Sequence, residues 1–531
     1  MQPPPAPGQA PPPPPAAPPP APADAPAPPG APAPPIAPLP PAPPPPPDAE
    51  EDEPPLAGWH GVFFLRDAKD NFRLYPRGRI HVDFNAFAGG GVYDLRAADG
   101  GNPLAPRLYV RRLRFELAGE ALERFDWLLG VDFGGQPITN ANGRTQTRAA
   151  NAGAEPTATS ASWAAVQSPS ASAALANNWI NVRVVPELNF MIGQEKPPYS
   201  MEGRTGNNTH TFMERNIAIR GFAFPSSREV GITAWGDIGK DKVAAYEVGV
   251  FSGDGQNRPQ IDSGVDLIGR AWVRPFAPGG KSPLKKAQVG LSARIGDRDP
   301  DQVGYGYPAV TTNFGYTLWN PSYRDVDRRT VLVLPSGLQA GIGAEVRVPV
   351  GILDLRGEVH YVANRTREAI DGFQLTNTER LGAVTGVGWY LQASVWPWGD
   401  KLVQGDPGMV RPTRVDFSKP ADVGGKGLEV FGLVAGVHAS YDGASRGGAY
   451  DENTPGAPGA ASELEVLQLG LGATYWWTKN MRATFNWLFY ATPASGSVDN
   501  LAAVPANVLP EEADLDTHAL HELGTRLHVS F

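Results

Sequence analysis

The chain closes on Leu-His-Glu-Leu-Gly-Thr-Arg-Leu-His-Val-Ser-Phe, Leu520–Phe531, and this stretch decides the fold. Leu523, Leu527, Val529 and Phe531 share one parity; Glu522, Arg526, His528 and Ser530 share the other. An extended strand has a side-chain period of two, so the segment carries one apolar face and one polar face.

The same alternation recurs upstream. Ile80, Val82 and Phe84 alternate with Arg79, His81 and Asp83. Leu353, Leu355, Val359 and Tyr361 alternate with Asp354, Arg356, Glu358 and His360, and Leu467, Leu469 and Leu471 alternate with Gln468, Gly470 and Gly472. A soluble sandwich and a transmembrane barrel both produce this pattern. Three features separate them. Aromatics gather at strand ends (Trp396 and Trp398, Tyr475 to Trp477, Phe489 and Tyr490), as in the girdles of a membrane barrel. Connectors alternate between short (119–124, 186–187, 239–242, 351–352, 478–480) and long (134–178, 298–336, 441–463, 493–519). Finally, Leu527, Val529 and the terminal Phe531 resemble the signal read by the outer-membrane assembly machinery.

The expectation is an all-β chain: a transmembrane antiparallel β-barrel of about 16 strands with both barrel ends on the periplasmic side. Strands start near Phe72, Leu108, Phe125, Trp179, Leu188, Glu229, Val243, Asp266, Ala287, Gly337, Leu353, Val384, Gly427, Leu464, Met481 and Leu520. The connector 399–426 is too long for a periplasmic turn and strains the count.

Composition agrees. Mean hydropathy is −0.28, and no apolar run reaches the roughly 18 residues of a helical span. There is no cysteine, so no disulfide. Net charge is −9, and six of those charges lie in the first 57 residues, which hold no Lys or Arg. The rest is nearly balanced, unlike a nucleic-acid binder. Residues 1–55 hold 29 of the 57 prolines. Proline fixes φ and removes a donor, so residues 1–57 are expected to be a disordered, extended proline/alanine-rich tail, with the barrel over 58–531. The tail is either a periplasmic spacer touching peptidoglycan or a periplasmic protein, or a linker with no specific partner. The Met-Gln-Pro-Pro start shows no signal peptide, and the expectation is a processed chain carrying a start methionine.

Parity places Arg79, Arg112, Arg114, Arg183, Arg270, Arg274, Arg294 and Arg356 inside the barrel, with acids such as Asp83, Glu116, Asp126 and Glu358. Guanidinium groups lining a narrow channel attract anions. The competing expectation is that they pair with those acids and stiffen the wall. Arg111 has outward parity, which calls for a strand end or a bulge. A connector at 195–228, rich in Lys196, Arg204, Arg215 and Arg220, would set the constriction if folded inward, or would be an ordinary surface loop.

Thr211-Phe-Met-Glu-Arg-Asn216, with Gly193-Gln-Glu-Lys-Pro-Pro198 before it, resembles the phosphate-selective porin O/P family. Tyr109-Val-Arg-Arg-Leu-Arg114, Gly249-Val-Phe-Ser-Gly-Asp254 and Gly388-Trp-Tyr-Leu-Gln-Ala-Ser394 add to the likeness, which spans roughly 72–531. The resemblance implies a trimeric outer-membrane channel among lipid and lipopolysaccharide, passing small solutes with an anion or phosphate preference. It implies that Arg111 and Arg112 are the family's paired arginines and that Lys196 and Arg215 lie in an inward loop.

Two other classes compete with a channel: a structural barrel tethered to the cell wall by the tail, and a soluble β-rich binding protein. An enzyme is not expected, and neither is a cofactor. His518 and His521 stand three apart on a strand and face opposite ways. Asp297, Asp299 and Asp301 lack the glycine and glutamate that complete a calcium loop.

Overall fold

The computed structural model describes residues 56–89, 106–134, 174–222, 228–258, 260–299, 306–324, 330–370, 381–399, 407–443, 461–491 and 519–531, less 240, 241, 261, 262, 279, 281, 316, 320, 422 and 423. Residues 1–55 of the expected tail, Asp301, His518 and the middles of three long connectors lie outside the described residues.

A short hairpin comes first, β1 (Ala57–Trp59) and β2 (Phe63–Arg66). The wall follows: β3 (Phe72–Gly89), β4 (Arg107–Ala121), β5 (Phe125–Asp132), β6 (Ala174–Val185), β7 (Leu188–Glu195), β8 (Glu229–Ile238), β9 (Ala244–Phe251), β10 (Asp266–Val273) and β11 (Gln288–Gly296). Three short strands, β12 (Val310–Thr311), β13 (Thr317–Trp319) and β14 (Tyr323–Arg324), lie in the next connector. The wall resumes with β15 (Thr330–Val350), β16 (Leu353–Ile370), β17 (Leu381–Gly399), β18 (Gly427–Asp442), β19 (Ala461–Thr478), β20 (Met481–Ala491) and β21 (Ala519–Ser530). Successive wall strands pair antiparallel, and β21 returns to β3 from Leu520↔Gly89 to Ser530↔Arg79, closing a ring of 16 strands. Phe531 completes the seam: its N–H donates to Gly78 O at 3.1 Å, and Gly78 N–H donates to Phe531 O at 2.9 Å.

The two parities face different surroundings. On β21, Leu527 is 42% exposed while Arg526 on the adjacent parity is 2% exposed. Ile80, Phe84, Leu113, Leu291, Ile342, Leu471 and Phe485 are likewise exposed in rows around the wall, whereas Asp83, Glu116, Arg270 and Glu358 are buried inside it. Apolar outside and charged inside inverts a soluble sandwich, and an uncovered belt of this kind is what hydrocarbon solvates.

At the end carrying the short turns, Trp398 stacks on Tyr475 at 6.1 Å and Tyr475 meets Trp477 at 5.0 Å. The expected girdle needs a correction here. Trp396, Trp476 and Tyr490 turn inward and are buried, because a period of two leaves only one of two adjacent residues outside. A register shift between Val395 and Trp398 turns Trp398 out. The connector 400–426 does sit among the short turns, and the count survives because its described part folds across that mouth.

Two connectors enter the interior. The β7–β8 connector carries α1 (Met201–Arg204) and α2 (Ile217–Phe222) into the barrel. The β11–β15 connector enters beside it, bringing Val310, Phe314 and Trp319 against Phe212, Met213 and Ile217–Ile219. Both pack on Tyr390, Phe431, Leu433, Val437, Leu488 and Tyr490 of β17, β18 and β20. Gly524 makes this possible: a Cβ there would stand 2.2 Å from the Phe314 ring.

Candidate functional site: the loop-filled lumen

A carboxylate of the wall holds the start of α1. Glu358 on β16 accepts from Met201 N at 2.8 Å and Glu202 N at 2.7 Å, and Tyr390 Oη donates to it at 2.7 Å. The first N–H groups of a helix lack partners within it, so a buried carboxylate there both satisfies them and anchors the segment. Ser200 Oγ caps the same turn, accepting from Gly203 N at 2.9 Å.

The far end of α1 collects cations. Arg215 donates to the carbonyls of Glu202, Gly203 and Thr205 at 3.0, 2.8 and 3.1 Å. Lys196 Nζ donates to Thr205 O as well, and His210 Nε2 lies 3.1 Å from it. Carbonyls satisfy hydrogen bonds but carry no net charge, so they do not neutralise Lys196 and Arg215. Burial, then Arg215, Arg228 and Arg114 nearby, hold the Lys196 ammonium well below the usual lysine range. Desolvation first, and like charge second, disfavour the charged form of a buried ammonium.

A second anchor runs the other way. Glu214, from the loop, meets the wall arginines: Arg112 Nη1 and Nη2 donate to it at 2.8 and 2.9 Å, and Arg526 Nη2 at 2.7 Å. Arg111 Nε reaches the same carboxylate at 3.4 Å. Burial raises the Glu214 pKa, but Arg112, Arg111 and Arg526 outweigh it and hold the group well below the ordinary glutamate range. Arg111 arrives by the bulge anticipated for it: β3 pairs His81↔Arg112 and then Val82↔Val110, leaving Arg111 as the extra residue.

The other arginines lie inside, as parity requires, and most face acids. Arg79 meets Glu116 at 3.0 Å, Arg114 meets Asp132 at 2.6 Å, and Arg183 meets Asp126 at 3.2 Å. Arg270 meets Glu345 at 2.7 Å, Arg294 meets Asp266 at 2.9 Å, and Arg356 meets Asp354 at 3.2 Å. The Arg274 guanidinium lies 4.7 Å from the centroid of the Trp272 ring. The wall-stiffening expectation therefore describes these pairs, while Lys196 and Arg215 form a separate charged group on the loop, with Glu202 as their nearby acid.

Three features were missed in the sequence. Glu358 is one lumen acid among several by parity and Glu214 one residue of a motif, yet in the fold they are the loop's anchors. The second is the inward course of the β11–β15 connector, whose length alone fits an outer loop. Its signal was present, since Tyr307, Phe314 and Trp319 are costly to leave in water. Last is the segment 407–417, a strap across the short-turn mouth. Arg411 Nη2 bonds Asp237 at 2.8 Å and its Nη1 bonds Glu247 at 2.5 Å, while Arg414 Nη2 bonds Asp126 at 3.3 Å.

Solved structures that resemble the chain are outer-membrane barrels. The trimer form of OmpT, an outer membrane protein of Vibrio cholerae, matches at TM-score 0.43 and 7% identity, covering 87% of this chain and 100% of that one. The outer membrane channel DcaP of Acinetobacter baumannii matches at 0.43 and 11%, covering 88% and 99%. An anion-selective porin from Comamonas acidovorans matches at 0.41 and 11%, covering 87% and 100%. None of the curated proteins compared with the chain matches it. The profile of phosphate-selective porin O and P matches residues 77–409, which take in the Lys196–Arg215 loop, the Arg111–Arg112 bulge and more than half of the sequence. With a closed barrel around that loop, the chain belongs to the phosphate-selective porin O and P family.

Proposed function

We propose that this outer-membrane channel is a passive diffusion pathway for small hydrophilic solutes and prefers anions of the phosphate class. The observation that carries the reading is the loop centre. Lys196 is buried in the lumen and Arg215 is half-buried beside it, both hydrogen-bonded to neutral carbonyls, with Arg228 and Arg114 close by and Glu202 as the nearby acid. A group of cations on a loop inside the lumen lowers the energy of a passing anion and raises that of a cation. Fold and family are those of a channel rather than an enzyme.

The finer expectations follow as proposals. The barrel sits among outer-membrane lipid and lipopolysaccharide, is inserted by the assembly machinery through Leu527, Val529 and Phe531, and works as a homotrimer. Residues 1–57 run in the periplasm, where peptidoglycan or a periplasmic protein is the partner.

Planar-bilayer recording of the purified chain tests the function. Discrete conductance steps, a reversal potential favouring chloride over potassium, and chloride current blocked by millimolar phosphate are expected. Absence of steps removes the channel. A reversal potential favouring potassium removes the anion preference.

A further inference from the structure

We propose that the strap 407–417 sets charge selectivity at the periplasmic mouth: Arg411 and Arg414 neutralise a group of wall carboxylates that would otherwise draw cations into the lumen. The inference rests on the channel reading and adds a second selectivity element, separate from the Lys196–Arg215 loop.

Glu120, Asp126 and Asp237 stand at the short-turn ends of β4, β5 and β8, and Glu247 stands midway along β9. Arg411 bridges two of them, Asp237 of β8 at 2.8 Å and Glu247 of β9 at 2.5 Å. Arg414 lies between two more, Asp126 of β5 at 3.3 Å and Glu120 of β4 at 4.0 Å. Two strap cations therefore stand against four acids on one side of the mouth. Arg183 of β6 shares Asp126 and Glu120, Arg73 of β3 divides between Glu120 and Asp70, Arg204 of the inward loop divides between Glu247 and Glu195, and Lys242 of the β8–β9 turn faces Asp237, so the other cations answer these acids only in part.

The strap is built to stay in place. At one end Gly408 N–H donates to Thr205 Oγ1 of the inward loop at 2.8 Å, and Arg270 Nη1 donates to Gly408 O at 2.5 Å. Gly408 has φ +74°, and a Cβ there would lie 2.6 Å from the Arg270 guanidinium, so the site admits glycine alone. In the middle, Arg411 lies 4.2 Å from the centroid of the Trp235 ring, and Arg77 donates to Thr413 Oγ1. At the other end Phe417 meets Phe64 of the hairpin edge-on at 4.7 Å. Pro407 and Pro412 limit the backbone further. These contacts make the strap a fixed girder.

The Arg414 side chain is 41% exposed. A pair so exposed adds little stability, because water screens it. Its charge instead stands where solvent and ions pass, and a fixed charge there acts on permeation.

The test is ion selectivity of the full chain in planar bilayers under a potassium chloride gradient, for wild type, Arg414→Gln, Arg411→Gln/Arg414→Gln and Arg411→Lys/Arg414→Lys. The chloride-to-potassium permeability ratio should fall by about two-fold or more in the double glutamine variant, by less in Arg414→Gln, and stay near wild type in the lysine variant. Should the double variant fail to fold, Arg414→Gln alone decides, since its partly exposed side chain carries little of the fold. Normal steps with an unchanged permeability ratio in the glutamine variants overturn the strap proposal and leave the channel standing. Larger steps with an unchanged ratio overturn it too, because the strap would then act only as an obstruction. Loss of selectivity in the lysine variant also overturns it, since charge would not be the cause. No steps from wild type would instead overturn the channel reading on which the proposal rests.

Discussion

Glu214 gathers three wall arginines, Arg111, Arg112 and Arg526. Its carboxylate takes Arg112 in a two-pronged pair and Arg526 at 2.7 Å, so the loop is held by the wall's own cations. Glu214→Ala would leave those guanidinium groups buried without their acid. It should cost about 3–5 kcal/mol, seen as a lower temperature for loss of the heat-modifiable folded band. A matching loss of stability is expected where backbone and ring approach closely. Gly524→Ala puts a Cβ 2.2 Å from the Phe314 ring and should cost about 1–3 kcal/mol by the same assay. Lys196 supplies the pH dependence. Its pKa is lowered in the fold, so its charge is present at low pH and is lost as pH rises through that lowered value. Chloride preference should therefore decline at a pH well below that at which an exposed lysine titrates, and Lys196→Met should abolish the dependence of reversal potential on pH over that range. The position of Lys196 in a loop was legible by resemblance. Its four-cation neighbourhood was not, because Arg228 and Arg114 reach it only through folding.

At the scale of elements, the period of two identified the strands and their starts, because one face of each meets hydrocarbon and the other the lumen. β15 begins at Thr330 rather than near Gly337, since a register irregularity between Pro335 and Gln339 hides its first part from a strict alternation. Bulges are where parity fails: at Arg111 one extra residue turns two neighbouring arginines to the same side. Phe531 shows the opposite case, a terminal residue whose role follows from its phase. It forms two backbone bonds with Gly78 and lays its ring where a Gly78 Cβ would be, 2.4 Å from the ring edge. Deleting Phe531 removes both bonds, each worth about 0.5–1.5 kcal/mol. The folded fraction recovered after assembly into vesicles should drop, and Gly78→Val should reproduce part of that loss by displacing the ring.

At the scale of the whole molecule, two inward connectors pack an apolar mass against β17, β18 and β20, while buried charged groups line β3–β11 and also β15, β16, β20 and β21. Selectivity in such a lumen comes from fixed charges beside water, so it should weaken with salt. The chloride-to-potassium permeability ratio is expected to approach the ratio of free ion mobilities as salt rises from about 0.1 M, where charges act over about 10 Å, to about 1 M, where they act over about 3 Å. A ratio unchanged over that range would mean that size, and not charge, controls passage. Alternation, terminal Phe531 and connector lengths determined the barrel from the sequence alone, because a strand's two faces are a local property of neighbouring residues. Only the tertiary structure decided which arginines are answered by acids, which loop carboxylates act as anchors, and that the strap and the β11–β15 connector enter the ring. Those outcomes join residues hundreds of positions apart, such as Arg526 with Asp83 and Arg414 with Asp126, and depend on the closure of a ring that no local pattern encodes.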